Sequence, residues 1–364
     1  MRAALLGLSH PHTDILLTTF ENMPEITSVV LWDEDAALVA TTKLAQRPKV
    51  ALTTADLDRA LDQPGLQFAL VCMRNDREAA VAQRVLAAGI HLLAEKPVAL
   101  TSAEILALQE IADRKRLTAS VLYSRRAHPC MVAARKMLRD GLVGNLTSME
   151  TRFLTTQVQF RNPRHWLFQR KYSGGGILLW LGCHCLDLLH HVPDDEITEV
   201  TGYLATLSGE AIDVEDTATL ALRFRSGAIG TFHAGYCLAF SGGGYVNTKG
   251  YDSYLGFYGR KGRIVWPGLD PLLQIEAPPQ AGQSAIRQQT FNLPESNSYG
   301  GVFGEAFIRW FIAATQGRAA PPSTLGDALR TARVIEAAEL SAKTGRTVRI
   351  EPTPAAPLPP EMGE

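Results

Sequence analysis

The residues best suited to chemistry are Glu95, Lys96 and Pro97, which close the short apolar run Ile90-His91-Leu92-Leu93-Ala94. A bounded run of that length reads as a buried strand of a parallel sheet. A lysine at the carboxyl end of such a strand points into the crevice where open α/β sheets hold their ligands. Desolvation or a neighbouring cation would let it act there as a base, and in its protonated form it would steady a developing negative charge on oxygen. Pro97 keeps Lys96 extended and so fixes the direction of its side chain. The Lys-Pro bond is of the kind that can be cis.

The elements that must position this lysine are read from the segment before it. Arg2 to Leu6 is a strand, Gly7-Leu8-Ser9-His10-Pro11-His12 a turn, and Thr13 to Phe20 a helix. A second strand, Ser28 to Trp32, ends at Asp33. In a dinucleotide-binding unit the first glycine allows the tight turn, and the helix amino end faces the pyrophosphate. An acid closing the second strand, about 20 residues on, accepts the ribose hydroxyls; Asp33 stands in that place. The pattern G-x-G-x-x-G is altered, with Ser9 in its second position and His12 in its third. Ser9 is small enough to let the backbone approach phosphate and can donate to it. His12 is expected to hold the helix further from the strand. His10 and His12 together suggest a metal only if a third ligand is near; none is evident, so both are read as serving the turn or the phosphate.

The alternation then continues through strand Lys49 to Leu52, helix Asp56 to Leu61, strand Phe68 to Cys72 and helix Asp76 to Ala88. Gly89 stops that helix, and strand Ile90 to Ala94, helix Ser102 to Lys115 and strand Thr118 to Leu122 follow. Repeated β-α units at this spacing predict an α/β fold with a doubly wound parallel sheet over residues 1–122.

A second chemical segment begins at Gly174-Gly175-Gly176, where the chain can approach other backbone closely. An amphipathic helix carrying Trp180, Cys183, His184, Cys185 and Asp187 then runs to about His191. These motifs join Glu95-Lys96-Pro97, Tyr123-Ser124-Arg125-Arg126, Val214-Glu215-Asp216-Thr217-Ala218 and the closing helix Asp327 to Thr344 before Gly345-Arg346. In this order they resemble the Gfo/Idh/MocA family of glucose–fructose oxidoreductase, inositol dehydrogenase and their relatives, over roughly residues 2 to 350.

The resemblance implies a Rossmann domain (1–122) that binds NAD(P). It implies a carboxyl-terminal α/β domain (123–351) built on a large, mostly antiparallel open sheet, with substrate over the nicotinamide between the two. Gly7, Ser9, His10, His12, Asp33, Glu95, Lys96 and Pro97 are then expected at the cofactor. Tyr123, Arg125, Arg164, Trp166, Trp180 and His184 are expected at the substrate, and no metal is called for. Lys96 matches the family's lysine, and His184 the histidine of its Asp-x-x-x-His motif. The aspartate of that motif falls on Trp180, so the usual three-residue proton relay would reduce to Lys96 and His184.

Oxidising a secondary alcohol removes a hydride from carbon and a proton from oxygen, and the base must lie within about 3 Å of the hydroxyl with a pKa near the working pH. A histidine starts near about 6.5 and a lysine near about 10.4. His184 is therefore expected as the general acid/base, and Lys96 as the group that polarises and orients. Trp180 reads either as a pocket wall or as core packing at a helix start. Asp187, one turn after His184, is a poor substitute for the absent aspartate. Glu78 holds a place often taken by histidine in relatives and is expected to alter cofactor or substrate contacts.

Arg125 and Arg126 are expected to border the cleft. Arg161, Arg164, His165 and Trp166 form a polar loop suited to a sugar, by hydrogen bonds and stacking, or to a carboxylate, by paired arginine contacts. Asp33-Glu34-Asp35 would repel a 2′-phosphate, so NAD is favoured over NADP.

Composition excludes other classes. Of 364 residues, 36 are Lys or Arg and 37 Asp or Glu, a net charge of −1, which points to neither nucleic acid nor an anionic membrane. No apolar run of about 18 residues appears, and the chain opens directly on a strand, so no signal peptide is expected. Five cysteines without paired spacing suggest reduced thiols and a cytoplasmic location. Cys183 and Cys185 would point about 200° apart on a helix, which does not make a zinc site.

In the second domain, helix Met131 to Arg139 leads to strands Thr147 to Thr156, Glu199 to Ala205, Thr217 to Arg225, Ala228 to Ala234, Ser253 to Tyr258 and Gly262 to Trp266. Ser241-Gly242-Gly243-Gly244 reads as a loop near the site or an interface, and Gly304 to Thr315 as a helix. The proline-rich tail, residues 352–364, reads as disordered. A wide sheet with helices on one face predicts a homodimer or homotetramer through the other. The chain thus reads as an NAD-dependent oxidoreductase of a sugar, inositol or related polyol. Two readings stay open beside it: a nucleotide- or sugar-sensing regulatory protein that has lost the chemistry, and an NAD-dependent glycosidase of the same fold.

Overall fold

A computed structural model describes residues 1–239, 250–279, 282 and 284–351. The glycine loop at 241–244 and the tail at 352–364 lie outside the described residues. The first half alternates β1 (Arg2–Leu6), α1 (Thr13–Asn22), β2 (Ser28–Trp32), α2 (Ala36–Thr41), β3 (Val50–Thr54), α3 (Leu57–Leu61), β4 (Leu66–Val71), α4 (Asn75–Ala87), β5 (His91–Ala94), α5 (Ser102–Lys115) and β6 (Ala119–Val121). All six strands are parallel, in the order β3-β2-β1-β4-β5-β6. Ala3 to Leu6, Val29 to Leu31, Phe68 to Val71 and Leu92 to Ala94 are wholly buried, as a sheet covered on both faces requires. Strand order reverses between β1 and β4, which opens a crevice beyond their carboxyl ends.

The second half comprises α6 (Pro129–Arg139), β7 (Leu146–Thr156), α7 (Arg170–Ser173), α8 (Cys183–His191), β8 (Ile197–Ala205), β9 (Thr217–Phe224), β10 (Ile229–Leu238), β11 (Tyr251–Gly259), β12 (Gly262–Trp266), β13 (Leu272–Glu276), β14 (Ile286–Thr290), α9 (Gly301–Thr315), α10 (Leu325–Thr344) and β15 (Val348–Arg349). Nine strands form one sheet ordered β14-β13-β12-β11-β7-β10-β9-β8-β15, antiparallel except where β7 and β10 run together. On β9, Ala218, Leu220, Leu222 and Phe224 face the core while Thr219, Ala221 and Arg223 face outward. That alternation marks a sheet with one covered face.

Three findings differ from the sequence reading. The segment after the glycines is not one amphipathic helix: Leu178–Gly182 forms a π-helical turn, and Cys183 to His190 are all buried. α8 lies between β7 and α10, and a helix covered on all sides loses its polar face. α9 follows strands β7 to β14 of the second sheet in sequence yet packs on the first sheet, where Phe307, Ile308 and Phe311 meet Leu16, Leu17, Phe20 and Phe68. Arg126 does not border the cleft. It is buried, donates to Asp187 at 2.9 and 2.5 Å, and reaches Asp327 at 3.1 Å, so it ties the segment after β6 to α8 and α10.

Among the described residues no helix is long and apolar enough to cross a membrane. All five cysteines are free thiols, four of them buried.

Candidate active site

The phosphate turn depends on Gly7. Its φ is +114°, and a Cβ there would lie 2.1 Å from the Cys72 carbonyl oxygen, so only glycine fits. Its N–H donates to Trp32 O at 2.7 Å, and the Thr13 hydroxyl donates to its carbonyl at 2.9 Å. These bonds gather the ends of β1 and β2 at the amino end of α1. Asp33 is buried beneath the turn, where its carboxylate accepts the Leu8 N–H at 2.7 Å and the Asp35 N–H at 2.9 Å. Ser9 is exposed on the turn. The turn, the helix amino end and the acid closing β2 fit a dinucleotide: Gly7 to His12 would hold its pyrophosphate and Asp33 its adenosine ribose.

His12 reaches across to the end of β5. Its Nδ1 is 2.9 Å from Glu95 Oε1, and its ring packs edgewise on His10 and against Trp180 and Tyr299. Burial pushes the Glu95 carboxyl upward, but His12 and Lys96 outweigh it and hold the group well below the usual carboxylate range. His10 accepts the His12 N–H at 3.1 Å and meets Cys72 Sγ at 3.2 Å. Burial and the neighbouring His12 hold it well below the ordinary histidine range. Among the described residues no three His, Cys, Asp or Glu side chains converge as a metal site.

Lys96, joined to Pro97 by a cis bond, is 1 % exposed. Its Nζ lies 3.6 Å above the Trp180 ring and donates to the Trp180 carbonyl at 3.0 Å. The residue standing in the motif acid's place therefore holds the lysine through its ring face and its backbone. The carbonyl belongs to the π-helical turn, and the turn is placed by the glycines. Gly176 N–H donates to Glu215 Oε1 at 2.8 Å, and Ile177 N–H donates to the Glu215 carbonyl at 3.0 Å. A Cβ on Gly176 would sit 1.8 Å from that carbonyl oxygen, whereas one on Gly175 would meet the Leu179 side chain at 3.2 Å and Glu215 Oε1 at 3.9 Å. Gly176→Ala is expected to cost about 3 kcal/mol, as a forced overpacking does, and Gly175→Ala about 1 kcal/mol or less. Urea denaturation of the two variants checks the contrast, and equal losses would refute it.

His184 faces the same cavity, and among the described residues its buried Nδ1 has no hydrogen-bond partner. The sequence led us to expect an ordinary histidine there. Instead burial, then Lys96 and Arg125, hold it well below that range, so it is neutral near pH 7. His12, Lys96, Ser124, Arg125, Leu181, His184, Tyr251, Tyr299 and Phe303 line this pocket of about 410 Å³.

The other expected substrate residues are placed differently. Tyr123 is buried behind His184, ring centroids 6.1 Å apart, and lines a separate interior cavity. Trp166 packs against His10 and Trp180 on the phosphate-turn side. Arg164 projects to solvent. Arg161 is bound to Thr156 O and the Thr155 hydroxyl at the end of β7, and His165 caps a short helical turn. Glu78 is buried, accepts the Met73 N–H at 2.6 Å and feels the charges of Glu95 and Lys96; burial raises its carboxyl well above the usual range. Tyr299, Tyr251 and Phe303 were not anticipated. Tyr299 is brought in when its N–H donates to the Thr19 hydroxyl on α1 at 2.7 Å, a contact across 280 residues that no local pattern announces.

With this geometry in view, the comparisons with known proteins are specific. Residues 1–123 match the NAD-binding Rossmann-fold domain of the GFO/IDH/MocA oxidoreductases, and residues 131–265 match that family's C-terminal domain. The chain belongs to the GFO/IDH/MocA family. Levoglucosan dehydrogenase of Pseudarthrobacter phenanthrenivorans is 25% identical over 239 residues, which span 59% of this chain and 58% of that protein. Myo-inositol 2-dehydrogenase of Thermotoga maritima is 23% identical over 269 residues, 72% of this chain and 74% of that protein. The solved structure of levoglucosan dehydrogenase in complex with NADH and levoglucosan shares the fold, with a TM-score of 0.84 at 22% identity over 96% of this chain and 99% of that one.

Proposed function

We propose that this GFO/IDH/MocA protein is an NAD-dependent oxidoreductase acting on a secondary alcohol or ketone of a sugar, inositol or related polyol. Residues 1–122 hold the cofactor and 123–351 supply the substrate side. The observation that carries the reading is a buried lysine, Lys96, on the wall of a pocket that it shares with His184. NAD bound in the crevice supplies the hydride acceptor. Lys96 donates to the carbinol oxygen and stabilises the negative charge that grows there. His184, kept neutral, offers a ring nitrogen to the same hydroxyl and handles its proton. Tyr251, Tyr299 and Phe303 present apolar faces to sugar C–H groups, and Arg125 and Ser124 offer donors to hydroxyls. The outward face of the second sheet, where Tyr203 is 81 % and Ile229 56 % exposed, is the surface through which copies would associate.

NADH is expected to bind at least tenfold more tightly than NADPH. Asp33 and Glu34 stand where a 2′-phosphate would lie, and Arg77, the nearby cation, is paired with Glu34 at 3.0 Å. Tryptophan quenching with each nucleotide, followed by a screen of sugars and polyols with NAD, tests the reading; preference for NADPH would overturn the Asp33 argument. Tight NADH binding with no turnover across the screen would favour the sensing protein. Trp180, in the place of the motif acid, is the feature that motivates that rival.

A further inference from the structure

We propose that the substrate is a sugar acid, with its carboxylate seated on Arg125 and its reacting carbinol beside Lys96 and His184. This rests on the oxidoreductase reading and names the class of polyol that the site takes. Arg125 lies in the short helical turn after β6, half-buried, and lines the same pocket as Lys96 and His184. Its Cζ stands 4.4 Å over the Phe153 ring of β7, and its guanidinium makes no hydrogen bond or ion pair among the described residues. A guanidinium stacked in this way keeps its planar edge of N–H donors free for a ligand. Other buried or half-buried arginines are engaged inside the fold: Arg126 by Asp187, Arg135 by Asp194, Arg152 by Asp252 and Arg330 by Asp327.

The pocket walls do not supply the missing counter-charge. Among the described residues that line the pocket, Asp14 is the one carboxylate, and it is held by Arg47 at 2.9 Å with its side chain 72 % exposed. Glu95, behind the wall, is matched to His12, and Lys96 Nζ already donates to the Trp180 carbonyl. A neutral hydroxyl would take one N–H of Arg125 and leave its charge unmatched in a half-buried place. A carboxylate takes two parallel N–H bonds and carries the single charge that one guanidinium balances. A phosphate carries nearly two charges and three acceptor oxygens, more than this one fork balances. The volume of about 410 Å³ is of small-molecule size, so a carboxylate on Arg125 and a carbinol at Lys96 fit within one monosaccharide.

The test sets glucuronate, galacturonate and gluconate beside glucose, galactose and glucitol, so that each pair differs in the carboxylate. With the full chain and NAD, an acid is expected to show a kcat/KM roughly 30-fold or more above its neutral partner. Arg125→Gln should erase that preference by raising KM for the acid, with the neutral partner's kcat/KM held within about threefold. Arg125→Lys, which keeps the charge and loses the fork, should recover only part of it. Arg125 makes no hydrogen bond or ion pair inside the fold, so both variants are expected to keep the wild-type urea midpoint. Equal use of acid and neutral sugar by wild type, or equal losses on both in Arg125→Gln, would overturn the proposal. A preference for glucose 6-phosphate over glucuronate would overturn it too and make the anion a phosphate. Calorimetry of the same acids on the protein with NADH present needs no turnover. Saturable binding that Arg125→Gln abolishes, with no turnover of any sugar, keeps the sugar acid as the ligand and defeats the oxidoreductase reading instead. Binding of no acid overturns the proposal, and turnover of neutral sugars alone does so while leaving the oxidoreductase reading intact.

Discussion

Lys96→Met is expected to reduce kcat by roughly 10²–10³-fold while leaving the protein at least as stable as wild type. The two halves of that expectation come from the same contacts. Lys96 is among the largest fully buried side chains, and its Nζ is held by one carbonyl and one aromatic face. Among the described residues no carboxylate lies within salt-bridge distance of it. Burying the lysine nitrogen costs desolvation, which an apolar chain of similar shape removes without opening a cavity, and the nearby Glu95 carboxylate that Lys96 helps to hold ionised keeps His12 as its partner. With His12 already paired to Glu95, the fold has little need of a cation here, whereas an oxygen acquiring negative charge in the adjoining pocket does. Removing one such donor removes stabilisation that exists only as the charge develops, so the loss appears in kcat rather than in binding. Steady-state kinetics beside urea denaturation separate the two effects. Turnover within fivefold of wild type would sink the electrostatic role, and a large loss of stability would show that the ammonium is structural.

How much of this was legible beforehand depended on whether a signal was local. The first sheet was readable because its strands are bounded runs of wholly buried residues, as in Phe68 to Val71, punctuated by features such as Gly89. On β9 the strict alternation from Thr217 to Phe224 gave the half-covered sheet equally clearly. β14 and β15 escaped notice because they are short edge strands of mixed polarity, and β13, inside the sheet, because it is only five residues long; Ile286, at the start of β14, is 74 % exposed. The π-helical turn escaped because it is set by Glu215 gripping the Gly176 and Ile177 amides from the distant loop before β9, not by the composition of Leu178 to Gly182. Within the site, Lys96 and His184 could be named from motifs. His12 could be seen only as a departure from the glycine pattern, since its partner Glu95 lies 83 residues away. Arg126 sat beside a cleft residue in sequence and was misplaced for that reason. Its true partners, Asp187 and Asp327, become neighbours only when α8 and α10 pack.

That buried arginine carries the second large expectation: Arg126→Leu should destabilise the protein by roughly 3–5 kcal/mol. The side chain donates to both oxygens of Asp187, to Asp327 and to the Pro322 carbonyl, all inside the protein. Leucine replaces its volume but leaves two carboxylates buried without this cation, and one of them, Asp327, also caps α10 through Thr324. The dependence on pH distinguishes this cause from a packing defect. Burial pushes the Asp327 carboxyl upward, but Arg126 and Arg330 overcome it and hold the group well below the usual carboxylate range. A carboxyl depressed in the folded state contributes stability that is fully present above its unfolded value, near about 3.9, and is lost as pH falls from there toward the folded value. The difference between wild type and Arg126→Leu should therefore be largest at pH 7, smaller at pH 5, where Asp187, whose carboxyl burial pushes up to about 6 despite Arg126, is already partly protonated, and smallest below about pH 4, where wild type also loses what Asp327 contributes. Urea midpoints at pH 7, 5 and 3 give the measurement. A difference that stays constant across the three would assign the loss to packing and remove the charge network as its cause.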